Sequence, residues 1–316
     1  MRRRLLLTVL AALTVVGLWP WVWCPTDCLD QGHNALWLSH AWLGGPSWFQ
    51  EHERDPAGFR GSQAHGALAE RVAALHVDRV YPHLCPTDSA GHLPSVDGGQ
   101  LRDFADALPG VQVLPWIGGV LHRHVFLDDP AWRETFVTEA AALVRDGGFA
   151  GVHVNIEPLP SGTPEFLDLL EALRAALPAG ARISVAAYPP QVLATQVLEV
   201  HWTPAYFRQV ADRADEVAVM TYDSGMVLPG PFSLLVARWA QHVRDAAGAA
   251  EVLLGVPTYD DEWMTWHYPS GEHLMSGLAG LGLVDLGPNY RGVAIYANWE
   301  LDHDEVAWLR RTFVAP

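Results

Sequence analysis

The stretch "GFAGVHVNIEP" (residues 148–158) alternates apolar and polar residues between a glycine-rich start and a proline stop. In an extended chain Val152, Val154 and Ile156 point one way, and His153, Asn155 and Glu157 point the other. An ordinary half-buried strand turns its polar face to water. A strand of a closed barrel turns that face into the barrel, and its last side chain reaches the mouth. The rest of the chain decides between the two.

Seven further runs read as strands: 34–40, 77–84, 111–119, 182–188, 216–222, 252–259 and 292–298. Amphipathic helical stretches lie between them. One covers 65–76. One covers 132–146, behind Asp129 as N-cap and Pro130 at the first helical position, and one covers 165–177 behind Thr163 and Pro164 in the same arrangement. Residues 236–247 and 305–313 continue the series, and a weakly marked helix falls near 272–280. Eight strands alternating with helices predict an α/β fold, a (β/α)8 TIM barrel. No glycine-rich phosphate turn follows the first strand, which argues against a doubly wound dinucleotide fold. No linker rich in Pro, Gly or Ser divides the chain after residue 33, so residues 34–316 read as one domain behind a short linker, 25–33.

The chain opens with three arginines and an apolar run from Leu5 to Trp23. That run is just long enough to span a bilayer, and Trp19, Trp21 and Trp23 sit where an interfacial aromatic belt would lie. No A-x-A cleavage site follows. Residues 1–24 therefore predict an uncleaved signal-anchor with the barrel outside, the alternative being a cleaved signal peptide; both export the domain. Export permits disulfides. With Cys24, Cys28 and Cys85 the pairings Cys28–Cys85 and Cys24–Cys28 both stay open.

The net charge of -16 comes with 20 arginines and no lysine, and no basic tract exists beyond the first four residues. Nucleic acid is excluded as a partner, and polyanions would be repelled from most of this surface. Neutral substrates fit. The 14 tryptophans add flat faces suited to sugar rings.

In a barrel the C-terminal strand ends converge on one mouth. Glu157, Tyr222, Asp223, Tyr259 and Trp299 fall at or just after such ends. Here the chain resembles the family 18 glycoside hydrolases, the chitinases and their relatives. The family's D-x-x-D-x-D-x-E motif on the fourth strand aligns with Ala150, His153, Asn155 and Glu157, of which the final Glu matches. Its S-x-G-G on the third strand is "WIGG", with Trp116 for Ser. M-x-Y-D on the sixth strand is intact as Met220, Thr221, Tyr222 and Asp223. G-x-P-x-Y on the seventh is Gly255, Pro257 and Tyr259. In "YANWELDHD" either Tyr296 or Trp299 takes the place of the family's floor tryptophan. The likeness runs over 111–304, and more loosely from 34.

The resemblance implies a glycosidase acting on an N-acetylhexosamine glycan, in which the substrate's own acetamide attacks the anomeric carbon. Glu157 would be the general acid. Asn155 would stand where the family has Asp and accept the acetamide N–H through its amide oxygen. Tyr222 would bond the acetamide carbonyl, and Asp223 would bind a sugar hydroxyl or order Tyr222. His153, Trp116, Tyr259, Tyr296 and Trp299 would line the sugar site. No metal or organic cofactor is implied. Asn155 is neutral, and a protonated His153 would lower the pKa of Glu157, leaving burial alone to raise it. An acidic pH optimum, or weak activity, is therefore expected.

Two rivals remain. In the first, the H-x-H pair His122 and His124 joins His40, His83 and Glu157 in a metal-dependent hydrolase or deacetylase. In the second, the barrel binds glycan without cleaving it, since the acidic residues upstream of Glu157 are gone.

Overall fold

The computed structural model describes residues 29–260 and 266–314. The proposed anchor, Cys24 and Cys28 lie outside these residues. Among the described residues no helix is long and apolar enough to cross a membrane.

Nine strands, all parallel, form one continuous sheet: β1 (Asn34–Leu38), β2 (Val77–Pro82), β3 (Gln112–Val113), β4 (Trp116–Val120), β5 (Gly151–Glu157), β6 (Arg182–Ala187), β7 (Glu216–Val219), β8 (Glu251–Pro257) and β9 (Tyr290–Tyr296). Their order is β3-β2-β1-β9-β8-β7-β6-β5-β4, so the first strand pairs with the last. The single run expected at 111–119 is two strands. Pro115 has no N–H to give the ladder, and the regular pairing is interrupted there. Val113 and Pro115 accept from Ala150 and His153 on one side, while Leu84 donates to Trp116 at 2.7 Å on the other. With that bent segment counted once, this is an eight-stranded (β/α)8 barrel.

The alternation of β5 works as its sequence dictates. Val152, Val154 and Ile156 join the large apolar layer between sheet and helices. His153 and Asn155 are buried inside the barrel, and Glu157 sits at its mouth. Trp37, Tyr81, Leu114 and Leu253 fill the interior with small alanines from β1, β7 and β9. Gly118 in β4 has φ 131°, and a Cβ there would stand 2.0 Å from the carbonyl oxygen of Asn155. The glycine of "WIGG" is thus what lets β4 lie close against β5.

The helices follow their signals. Asp129 accepts from Ala131 to cap Pro130–Gly147, which Gly148 ends in the left-handed region. Pro164–Ala176 begins as expected, although the Thr163 hydroxyl bonds Pro160 instead of capping it. Leu274–Leu281 is weakly marked for a physical reason: every residue but Met275 is buried, so it has no polar face to give a period. The short helices Pro46–Glu51, Gly98–Asp106 and Pro204–Ala211 were not evident from periodicity.

Candidate active site

Glu157 ends β5 at the barrel mouth. Its carboxylate accepts from Asn155 Nδ2 at 2.6 Å and from the Tyr188 hydroxyl at 3.3 Å. Burial pushes its pKa up, the Asn155 hydrogen bond opposes this, and the charge of Asp223 adds to the rise. Asn155 is buried, and among the described residues its Oδ1 has no hydrogen-bond partner. A buried amide oxygen left open beside a carboxyl is costly unless something supplies a donor.

His153 lies deeper. It is wholly buried: Trp37 Nε1 donates to its Nε2 at 3.1 Å, and its Nδ1 is 2.8 Å from Ser184 Oγ. Nε2 is therefore an acceptor and Nδ1 carries the hydrogen. Ser184 in turn donates to Glu216, which also takes the Tyr81 hydroxyl and Arg79. Tyr81 stacks on the imidazole at 3.9 Å. Burial holds the His153 pKa down to about 3, so the ring is neutral. The expectation that a protonated His153 lowers the Glu157 pKa is corrected: His153 is neutral, and Asp223 reinforces burial in raising it. The acidic optimum loses its basis.

Across the mouth, Tyr222 stacks on Tyr296 at 5.5 Å and meets Tyr259 edge-on at 6.0 Å. Gly255 makes this possible, because a Cβ there would come within 2.8 Å of Tyr222 Cε1. Among the described residues the Tyr222 hydroxyl has no partner. Asp223 follows in the left-handed region, φ 58°, and accepts from the Tyr259 hydroxyl. Tyr296 is the centre of the aromatic cluster, touching Trp37, Trp116, Tyr222 and Tyr259. Trp299 is 40% exposed and meets Tyr296 edge-on, so it stands at the rim.

A cavity of about 250 Å³ lies over Glu157 and Asn155, walled by Trp116, His83, Pro86 and His124. It adjoins one of about 220 Å³ between Trp116, Tyr296, Trp299 and Trp48, sharing His83 and Trp116. Together they make an aromatic-walled cleft. Residues that the sequence reading missed are Tyr188, His83 (as cleft wall), Trp48, His267 and Glu272. Tyr188 closes the run 182–188, so the strand-end rule that selected Tyr222 would have found it. The others sit in loops, where no period marks them.

The histidine rival does not assemble. Among the described residues the one group of three with ligand atoms close enough for a metal is Asp223, His267 and Glu272, which includes none of His40, His83, His122 or His124. His122 is exposed, while His124 accepts from the Val120 N–H at the cleft wall. Among the described residues Cys85 has no disulfide partner; its buried sulfur lies against the Trp116 carbonyl, and burial pushes the thiol pKa well up.

The family profile of the glycosyl hydrolases family 18 matches residues 86–304, more than half of the chain, and the protein belongs to that family. Among solved structures it is similar to the spore cortex-lytic enzyme SleL of Bacillus cereus, with a TM-score of 0.58 at 12% identity over 90% of this chain and 75% of that one. A chitinase from Bacteroides thetaiotaomicron gives 0.56 at 12% over 89% and 96%. A class V chitinase from Pseudomonas fluorescens Pf-5 gives 0.55 at 14% over 89% and 99%. At such identities the structures establish the fold. No curated protein matches.

Proposed function

We propose that the barrel hydrolyses a glycan containing N-acetylhexosamine, with Glu157 as general acid and the substrate's acetamide as nucleophile. The carrying observation is the open Asn155 Oδ1 beside a Glu157 whose pKa is raised. An acetamide N–H would satisfy that oxygen, turning the acetamide's own oxygen toward the anomeric carbon. The Tyr222 hydroxyl, without a partner among the described residues, would donate to the same oxygen. Glu157, protonated, would give its proton to the departing glycosidic oxygen; as a carboxylate it would then accept one from the incoming water. Asp223 keeps Tyr259 in place and raises the affinity of Glu157 for its proton. Trp116, Tyr296 and Trp299 would offer faces to sugar rings. His153 would support the floor without touching sugar. The charged start and apolar run of residues 1–24 support export of the domain, tethered or released.

The test is mass spectrometry of products from N-acetylated oligosaccharides incubated with the protein and with Glu157→Gln. Loss of a positioned general acid is worth about 10²- to 10⁴-fold in rate. Gln can still accept from Asn155, so the variant is expected to fold. Cleavage that survives within tenfold removes Glu157 from this role. No cleavage by either protein, with glycan bound, leaves a binding barrel.

A further inference from the structure

The geometry points to a divalent-cation site built from Asp223, His267 and Glu272. Asp223 stands just beyond β7; His267 and Glu272 come from the segment after β8. Their three ligand atoms, one nitrogen and two carboxylate oxygens, lie within 4.8 Å of one another.

The second observation is the orientation of His267, which is 4% exposed. Its Nε2 is 2.9 Å from the carbonyl oxygen of Tyr259. A carbonyl only accepts, so Nε2 carries the hydrogen. Nδ1 then faces Asp223 Oδ1 at 3.3 Å and Glu272 Oε2 at 3.7 Å, within ion-pair reach of both but outside good hydrogen-bond geometry to either. A charge-assisted N–H···O bond would be about 2.7–2.9 Å long. The observed separations instead bracket the edge, about 3.4 Å, of a tetrahedron with metal arms of about 2.1 Å. An imidazole whose remote N–H is held by a backbone carbonyl is also how metal-binding histidines are oriented.

The carboxylates are held by their own neighbours, and the oxygens nearest His267, Asp223 Oδ1 and Glu272 Oε2, each already accept one hydrogen bond and keep a lone pair for a ligand. Glu272 takes the N–H groups of Ser224 and Met226, each at 3.0 Å, and Asp223 takes the Tyr259 hydroxyl. Among the described residues neither is paired with arginine. The Asp223 side chain is 29% exposed, which opens a way in and leaves a fourth position for water. One nitrogen and two oxygens in a small site suit zinc better than calcium or magnesium, which take larger all-oxygen shells. The ion would fasten the segment after β8 to the end of β7, beside Tyr222 and Tyr259. This site stands on geometry alone, whether or not the barrel cleaves glycan; with the ion bound, Asp223 would no longer raise the Glu157 pKa, and burial, its largest cause, would act without it.

The test uses the whole chain, stripped with a chelator, then titrated with zinc by calorimetry and with cobalt(II) by visible absorption. One ion per chain is expected, with the ligand-field absorption of four-coordinate cobalt. Glu272→Gln and His267→Gln should each weaken binding at least tenfold, while His122→Ala/His124→Ala should leave it unchanged. No binding at micromolar metal, equal affinity in both site variants, or loss in the H-x-H variant would overturn the assignment. If both site variants misfold by circular dichroism, the cobalt spectrum of the unaltered chain decides: a six-coordinate spectrum, or none, overturns it.

Discussion

Replacing Asn155 by Asp restores the residue type that the family carries there and tests the electrostatics of the mouth. Asn155 Nδ2 now donates to Glu157 Oε1 at 2.6 Å, which favours the carboxylate. In the variant that donor is gone and a second carboxyl takes its place. Two unit charges about 4 Å apart, in an effective dielectric of about 20, repel by about 4 kcal/mol. That is about a thousandfold in proton affinity. The lost hydrogen bond acts in the same direction. The pair should therefore hold one proton through neutral pH and titrate in two macroscopic steps. The assay is carbon-13 NMR of labelled carboxyl groups from pH 2 to 9, beside the pH profile of kcat/KM. The expected result is two ionisations about three pH units apart, with the basic limb of the profile moved upward. Ionisations falling within one pH unit of each other, or an upper one below that of Glu157 in the unaltered protein, would refute the reasoning.

Three further outcomes follow from other parts of the barrel. Gly255→Ala pushes a methyl against the Val219 carbonyl at 2.7 Å and the Tyr222 ring at 2.8 Å. Overpacking of this kind costs about 1–3 kcal/mol, so the urea midpoint should fall and kcat/KM with it as Tyr222 shifts; an unchanged midpoint contradicts this. Glu216→Gln removes the carboxylate that accepts from Ser184, Tyr81 and Arg79 in the barrel floor. Breaking a buried pair costs about 3–5 kcal/mol, and the low end applies because Arg79 keeps Asp78 at 2.8 Å and Glu251 at 3.1 Å. A loss below 1 kcal/mol by urea unfolding would show that the cluster is solvated. Acid should destabilise the fold through three histidines: burial lowers His40 to about 4, and His83 and His153 to about 3. Unfolded, each binds its proton near about 6.5. The unfolded chain thus holds more protons between those limits. Stability contributed by the neutral rings is present above about 6.5 and lost as pH falls, by up to ~1.4 kcal/mol per pH unit for each ring. Glu157 works in the opposite sense, since its raised pKa favours the fold at low pH. Equal urea midpoints at pH 7.5 and 5 would refute the histidine account.

Much of this architecture was legible in the chain because it depends on local period. The alternation of residues 151–157 set which side chains enter the barrel, since successive Cβ atoms of a strand must diverge. Asp129 with Pro130 marked a helix start because the same local bonds form in any context. Strand-end position found Glu157, Tyr222, Asp223 and Tyr259, because a parallel barrel gathers those ends by construction. The break at Pro115 was legible only in part: proline signals a missing donor, but how the two parts wedge between β2 and β5 needs the closed barrel.

What tertiary structure alone decided is the state of the groups. His153 is neutral because Trp37, Tyr81 and Ser184, from three other strands, enclose it and fix its tautomer. Asp223 acts on Glu157 although 66 positions separate them in the chain. His267 and Glu272 meet Asp223 from a loop without period or motif. A sequence pattern fixes where a backbone can point its side chains. Protonation, open hydrogen-bond sites and ligand clusters depend on distances between segments remote in the chain, and those distances exist only once the barrel has closed.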